Sequence, residues 1–110
     1  MKLTTALIAG LFTLTAGPVW AADVEAIYTK QCAPCHGKDG SGSTTMGKKV
    51  GAKDLRDAKV QAEFTDEKAF KSIKEGVKEK NSDKFAMKPV KDATDEDVKA
   101  LVAYVRKFKK

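Results

Sequence analysis

Both cysteines and the single histidine of this 110-residue chain fall within five consecutive positions, Cys32-Ala33-Pro34-Cys35-His36. The thiols stand three residues apart and the imidazole follows the second directly. On a helical turn, positions i, i+3 and i+4 share one face, so all three groups can address one ligand. This spacing is the sequence form of covalent haem attachment. The thiols add across the two haem vinyl groups, and the imidazole nitrogen reaches the iron from the same side. Iron held by a histidine and a second protein ligand suits electron transfer.

Three other chemistries use similar residues. A disulfide between Cys32 and Cys35 would close a very short loop and contribute little chain entropy. A thioredoxin-like redox pair, which Pro34 brings to mind, needs a strand before the motif and a βαβ setting; the flanking sequence reads helical on both sides. A structural zinc site needs four ligands, and no further Cys or His exists to complete a tetrahedron.

A second axial ligand must come from elsewhere. His36 is the only histidine, so bis-histidine ligation within one chain is excluded. Met87, Met46, a deprotonated lysine and an open position remain. Met46 lies ten residues after His36; such a segment spans up to roughly 33 Å, so reach does not exclude it. Its neighbours Ser43, Thr44, Thr45, Gly47 and Lys48 are polar. Met87 has Phe85, Ala86 and Val90 as dry company, with Pro89 stiffening its loop, and is the favoured candidate. Either methionine could instead fill core space.

The elements that must position these groups read as helices. Asp23 can cap a helix over residues 24–31, with Val24, Ile27 and Tyr28 as its apolar stripe and Cys32 at its end. Residues 37–54, which include Gly37, Gly40 and Gly42, read as a loop around the ligand. Gly40-x-Gly42 lacks the third glycine of a dinucleotide fingerprint, and Gly47-Lys48-Lys49 lacks the hydroxyl residue of a phosphate loop. Residues 55–63 form a short helix carrying Leu55, Ala58, Val60 and Ala62. Thr65 caps the next helix, Asp66 and Glu67 suit its first turn, and Gly76 stops it. Phe64, Phe70, Ile73 and Val77 are its expected buried side. Lys78 to Asp92 is a polar connection with an apolar island around Met87. Thr94 opens the last helix, with Val98, Leu101, Val102, Val105 and Phe108 in register and Ala100 and Tyr104 beside them. No stretch alternates at period two, so the fold class is all-α.

Residues 1–21 carry Lys2 as their only charge, an apolar run, Gly17-Pro18 and a small-x-small ending at Val19-Trp20-Ala21. They read as a secretory signal peptide cleaved after Ala21. An uncleaved anchor is the alternative, but four threonines and the late Gly-Pro argue against it. Residues 22–110 then form one domain of 89 residues. A chain of that size buries only about 60–65% of its unfolded surface, so a covalent haem would supply core that it lacks. The apo-chain is expected to be mostly unfolded.

The whole chain has a net charge of +6, and the domain without Lys2 carries +5. Lysine dominates, with Arg56 and Arg106 the only arginines. Nucleic acid is a poor match as a partner outside the cytoplasm, and the basic residues carry no aromatic platform on which bases would stack. Steering toward acidic protein partners is the better use of such a surface.

These residues resemble a class I monohaem c-type cytochrome of the short bacterial periplasmic kind. The resemblance covers the whole of residues 22–110: the attachment motif, the Gly37-Lys38-Asp39-Gly40-Ser41-Gly42 loop, Leu55, Met87 in a proline-containing loop, and Leu101-Val102-Ala103-Tyr104-Val105 in the last helix. It implies the cytochrome c fold, three to four helices wrapped on one haem c, with first and last helices crossing near Tyr28, Leu101, Val102 and Tyr104. It implies thioethers at Cys32 and Cys35, and His36 and Met87 as axial ligands of the iron. Many relatives have a proline two residues before the leucine matching Leu55, whose carbonyl accepts the proximal histidine N–H. Lys53 stands there in this chain; a backbone carbonyl near it can still serve, but the sequence names no acceptor for the His36 N–H.

The function that follows is a non-enzymatic, monomeric one-electron carrier in the periplasm. It would shuttle between a reductase or dehydrogenase and an oxidase or terminal reductase, with no membrane insertion after cleavage. Lys38, Lys48, Lys49, Lys88 and Lys91 are candidate docking residues. The alternative is a haem-c small-ligand binder or peroxidase-like protein with a displaceable sixth ligand. That alternative needs an open or displaceable sixth site and, for an enzyme, an acid/base group at the iron; the sequence places no such group there.

Overall fold

Asp23 opens the first helix through its carboxylate, which accepts from the N–H groups of Glu25 at 3.1 Å and Ala26 at 3.4 Å. In the computed structural model, which describes Gly10 and residues 23–110, this helix does not end before the cysteines. It runs as α1 (Val24–Ile27), a π-helical turn (Tyr28–Cys32) and α2 (Ala33–His36). The expected stop at Cys32 is thus corrected. Pro34 has no N–H to donate, and the preceding wide turn, where Ala33 N–H reaches back to Tyr28 O, accommodates it. Gly37, at φ 81°, ends the rod. The leader expected over residues 1–21 lies outside the described residues.

The last helix, α6 (Asp95–Arg106), starts at a complete capping box. Thr94 Oγ1 accepts from Asp97 N–H, and Asp97 Oδ2 accepts from Thr94 N–H. It crosses the first helix, and the core lies at the crossing: Tyr28, Ala33, Ile73, Val98, Leu101 and Val102. Tyr28 is 1% exposed and Leu101 0%. The Tyr28 ring lies 4.9 Å from Tyr104 and 5.2 Å from Phe108, at tilted angles that suit aromatic quadrupoles. Phe108, expected inside the helix, packs from just beyond its end.

Between these helices the chain departs from expectation in three places. Residues 37–54 are not all loop: Thr44 caps a helix, α3 (Thr45–Val50), by accepting from Gly47 N–H at 2.9 Å. In α4 (Ala58–Ala62) the buried residue is Gln61, not the apolar positions. Its amide donates to Leu55 O at 2.7 Å and Val105 O at 3.0 Å and accepts from Arg106 at 2.9 Å. A buried amide is tolerated because its polar atoms are partnered. Then α5 (Asp66–Glu75) obeys its Thr65 cap and Gly76 stop, and Ile73 is buried.

Val77 is exposed, because the chain leaves the helix at Gly76 with φ 79° and enters a small antiparallel hairpin. β1 (Val77–Lys78) pairs with β2 (Phe85–Met87) as Val77 with Met87 and Lys78 with Phe85. A ladder this short shows no alternation in sequence, so the expectation of no strand fails on a detail while the all-α class stands. Gly76 packs flush on this segment: a Cβ there would lie 2.7 Å from Met87 O and 2.8 Å from Pro89 Cδ.

Candidate haem site

The attachment motif is held from two sides. Tyr28 Oη donates to Gly37 O at 2.7 Å, fixing the residue that follows His36. On the other side the Thr44 hydroxyl lies 2.8 Å from Pro34 O and 2.9 Å from Cys35 O, serving two carbonyls freed at the end of α2. Gly47 brings α3 against the same end, where a Cβ would fall 2.1 Å from Cys35 O. The Ser-Thr-Thr run before Met46 carried a legible cap signal for α3; the contact with α2 had none.

Cys32 and Cys35 are both half-buried, and their sulfurs are not bonded to each other. Burial, then the neighbouring Cys35, pushes the Cys32 thiol up to about 11. Burial lowers the pKa of His36 below its usual 6.5, which favours the neutral imidazole that binds metals. His36 Nδ1 is buried with no hydrogen-bond partner. No carbonyl near Lys53 takes it. The carbonyls of Ala52 and Lys53 lie against Gly42, where a Cβ would meet them at 2.6 and 3.2 Å.

Met87 is half-buried in β2 and packs against the core cluster, whereas Met46 is 49% exposed. Phe85, expected as dry company, is 40% exposed. A cleft of about 390 Å³ between α5 and α6 is lined by Asp66, Glu67, Phe70, Lys99, Val102 and Ala103 and includes none of the four candidate ligating residues. Among the described residues no three His, Cys, Asp or Glu side chains converge as a bare-metal site, so a zinc reading finds no support. Two unpaired thiols, a neutral imidazole and a sheltered thioether are a donor set that fits haem.

Comparison with known proteins decides the family. The family model for "Cytochrome C oxidase, cbb3-type, subunit III" matches residues 20–105. The solved structure of the KustC0563 c-type cytochrome superposes with a TM-score of 0.68 at 42% identity, covering 80% of this chain and 99% of that one. The chain belongs to the class I monohaem c-type cytochromes. A tyrosine-to-phenylalanine variant of KustC0563 gives a TM-score of 0.65 at 40% identity, covering 79% of this chain and 99% of that one. No curated protein sequence matches. As a c-type cytochrome the protein carries covalent haem c with its iron, is an electron carrier in general terms, and meets redox partners. The family's carriers are typically non-enzymatic and typically exported. Among the described residues, no helix is long and apolar enough to cross a membrane.

Proposed function

We propose that this cytochrome is a diffusible periplasmic one-electron shuttle, released as residues 22–110 after removal of 1–21. When bound, the haem supplies a single iron that alternates between ferrous and ferric states. Cys32 and Cys35 would anchor it through thioethers, and the His36 imidazole and the Met87 thioether would bind its iron. The observation that carries this reading is the division of labour in the fold. One continuous helix presents both thiols and the neutral imidazole, while Met87 comes from a separate hairpin packed on the core.

The protein's own residues do three things. Tyr28 and Thr44 hold the motif's backbone, burial keeps His36 neutral, and the hairpin shelters Met87. Lys38, Lys48, Lys49, Lys88 and Lys91 are exposed, and among the described residues none of them joins an ion pair. Unpaired surface charge of one sign suits docking to acidic dehydrogenases, reductases or oxidases as a monomer. In this reading the protein passes electrons and turns over no substrate.

The test is the absorption spectrum of the exported protein, oxidised and reduced, with a pyridine haemochrome assay. A low-spin c-type spectrum with both vinyl groups saturated and a Met–iron charge-transfer band is expected. A colourless folded protein with two free thiols would overturn the proposal.

A further inference from the structure

Gln31 sits in the π-helical turn beside Cys32, exposed to solvent. Its side-chain amide is nonetheless bonded at both its nitrogen and its oxygen. Nε2 donates to Lys91 O at 2.9 Å, and Oε1 accepts from Lys91 N–H at 2.8 Å. One planar carboxamide thereby takes up both backbone groups of one residue, as a neighbouring strand would. Lys91 is four positions beyond Met87, with Lys88, Pro89 and Val90 between.

The other side of this segment is fastened by backbone. Val77 pairs with Met87, and Val90 N–H donates to Ile73 O at 2.9 Å. Those links tie Met87 to the end of α5. They do not tie it to the helix that carries the thiols and His36. Among the described residues, the two Gln31 bonds are the only hydrogen bonds joining residues 85–93 to residues 23–36.

We propose that Gln31 is a positioning residue that clamps the Met87 segment to the attachment helix and so sets how firmly Met87 stays on the iron. This rests on Met87 being the second axial ligand. Met87 and His36 belong to separate elements, and the distance between those elements governs whether both can hold one metal. Pro89 makes the segment between Met87 and Lys91 stiff, so fixing Lys91 restrains Met87. Glutamate at position 31 can accept from Lys91 N–H but cannot donate to Lys91 O. Leucine keeps the volume and does neither.

The experiment uses the ferric holoprotein of wild type, Gln31→Leu, Gln31→Glu and Met87→Ala. Two quantities are read: exchange of the Lys91 amide by NMR, and affinity for added imidazole, which competes for Met87's place. Gln31→Leu is expected to speed Lys91 exchange and to raise imidazole affinity, each by about fivefold per hydrogen bond lost. Gln31→Glu is expected to fall between it and wild type, and it carries the test alone if the leucine variant does not mature. Imidazole affinity unchanged in the Gln31 variants but raised in Met87→Ala overturns the clamp and leaves the axial ligand standing. Affinity unchanged in Met87→Ala overturns the axial assignment and the clamp with it.

Discussion

The buried hydroxyl of Tyr28 donates a hydrogen bond to the carbonyl of Gly37 at 2.7 Å. Burial above all raises the Tyr28 pKa, so the phenol keeps its proton and remains a donor. Tyr28→Phe removes the shorter of the two hydrogen bonds to this carbonyl, leaving the one from Gly40 N–H at 3.2 Å. The expected cost is about 0.5–1.5 kcal/mol. Thermal unfolding of the holoprotein should fall by roughly 4–8 °C for each kcal/mol lost; an unchanged midpoint would show that the bond contributes nothing.

Gly47→Ala tests the seating of α3 on the attachment helix. The added methyl would lie 2.1 Å from Cys35 O, which is backbone and cannot rotate away. We expect a loss of about 1–3 kcal/mol, as for overpacking elsewhere. Gly51→Ala is a poor control because Gly51 holds φ 73°; Ala58→Ser on exposed α4 is a better one. Chemical denaturation of both variants decides the point.

Met87→Ala should remove the Met–iron charge-transfer band and let cyanide or carbon monoxide bind. The reduction potential should fall, by on the order of 0.1 V within the ~0.8 V range that axial ligands command. Protein-film voltammetry measures it. If potential and spectrum both stay put, Met87 is not the ligand.

Charge reversal at Lys38 and Lys88 together should slow bimolecular electron transfer to an acidic partner by about tenfold at low salt. Wild type and variant should converge as ionic strength rises and the Debye length shrinks. Stopped-flow rates across a salt series provide the comparison, and a flat wild-type response would rule out steering.

Stability in acid should depend on Asp54. Hydrogen bonds from the Arg56 side chain, then from its backbone N–H, hold the Asp54 carboxyl below its usual 3.8. A depressed carboxylate contributes stability that is fully present above its unfolded pKa and disappears as pH falls through the lower folded value. Asp54→Asn should therefore flatten the acid limb of the unfolding midpoint below pH about 3.8. An acid limb as steep as wild type would place the effect on other groups.

What the sequence disclosed follows from how locally each signal is written. Thr65, Gly76 and Thr94 cap or stop helices through groups within a few residues, and all three do so in the structure. The motif likewise needs one turn of helix to bring Cys32, Cys35 and His36 together. Tyr28, Leu101 and Val102 meet at the crossing, as the family resemblance implied. What stayed hidden depends on distant partners. Gln61 reads as a surface residue until Leu55 O, Val105 O and Arg106 surround it. Gln31 finds Lys91 sixty positions away, and no local pattern encodes that. The unpartnered His36 Nδ1 is similar: Lys53 in place of proline marked the position, but only the folded chain shows that no carbonyl takes the ring nitrogen.

The crossing of the first helix with α6 has a consequence for biosynthesis. Tyr28, near the start of the domain, completes its packing only with Val98, Leu101, Tyr104 and Phe108, near its end. A polypeptide under synthesis therefore has no finished core until Phe108 has left the ribosome, since contacts this remote in sequence form late. If the chain is exported as proposed above, a precursor loose until then is narrow enough to be threaded through a translocation pore.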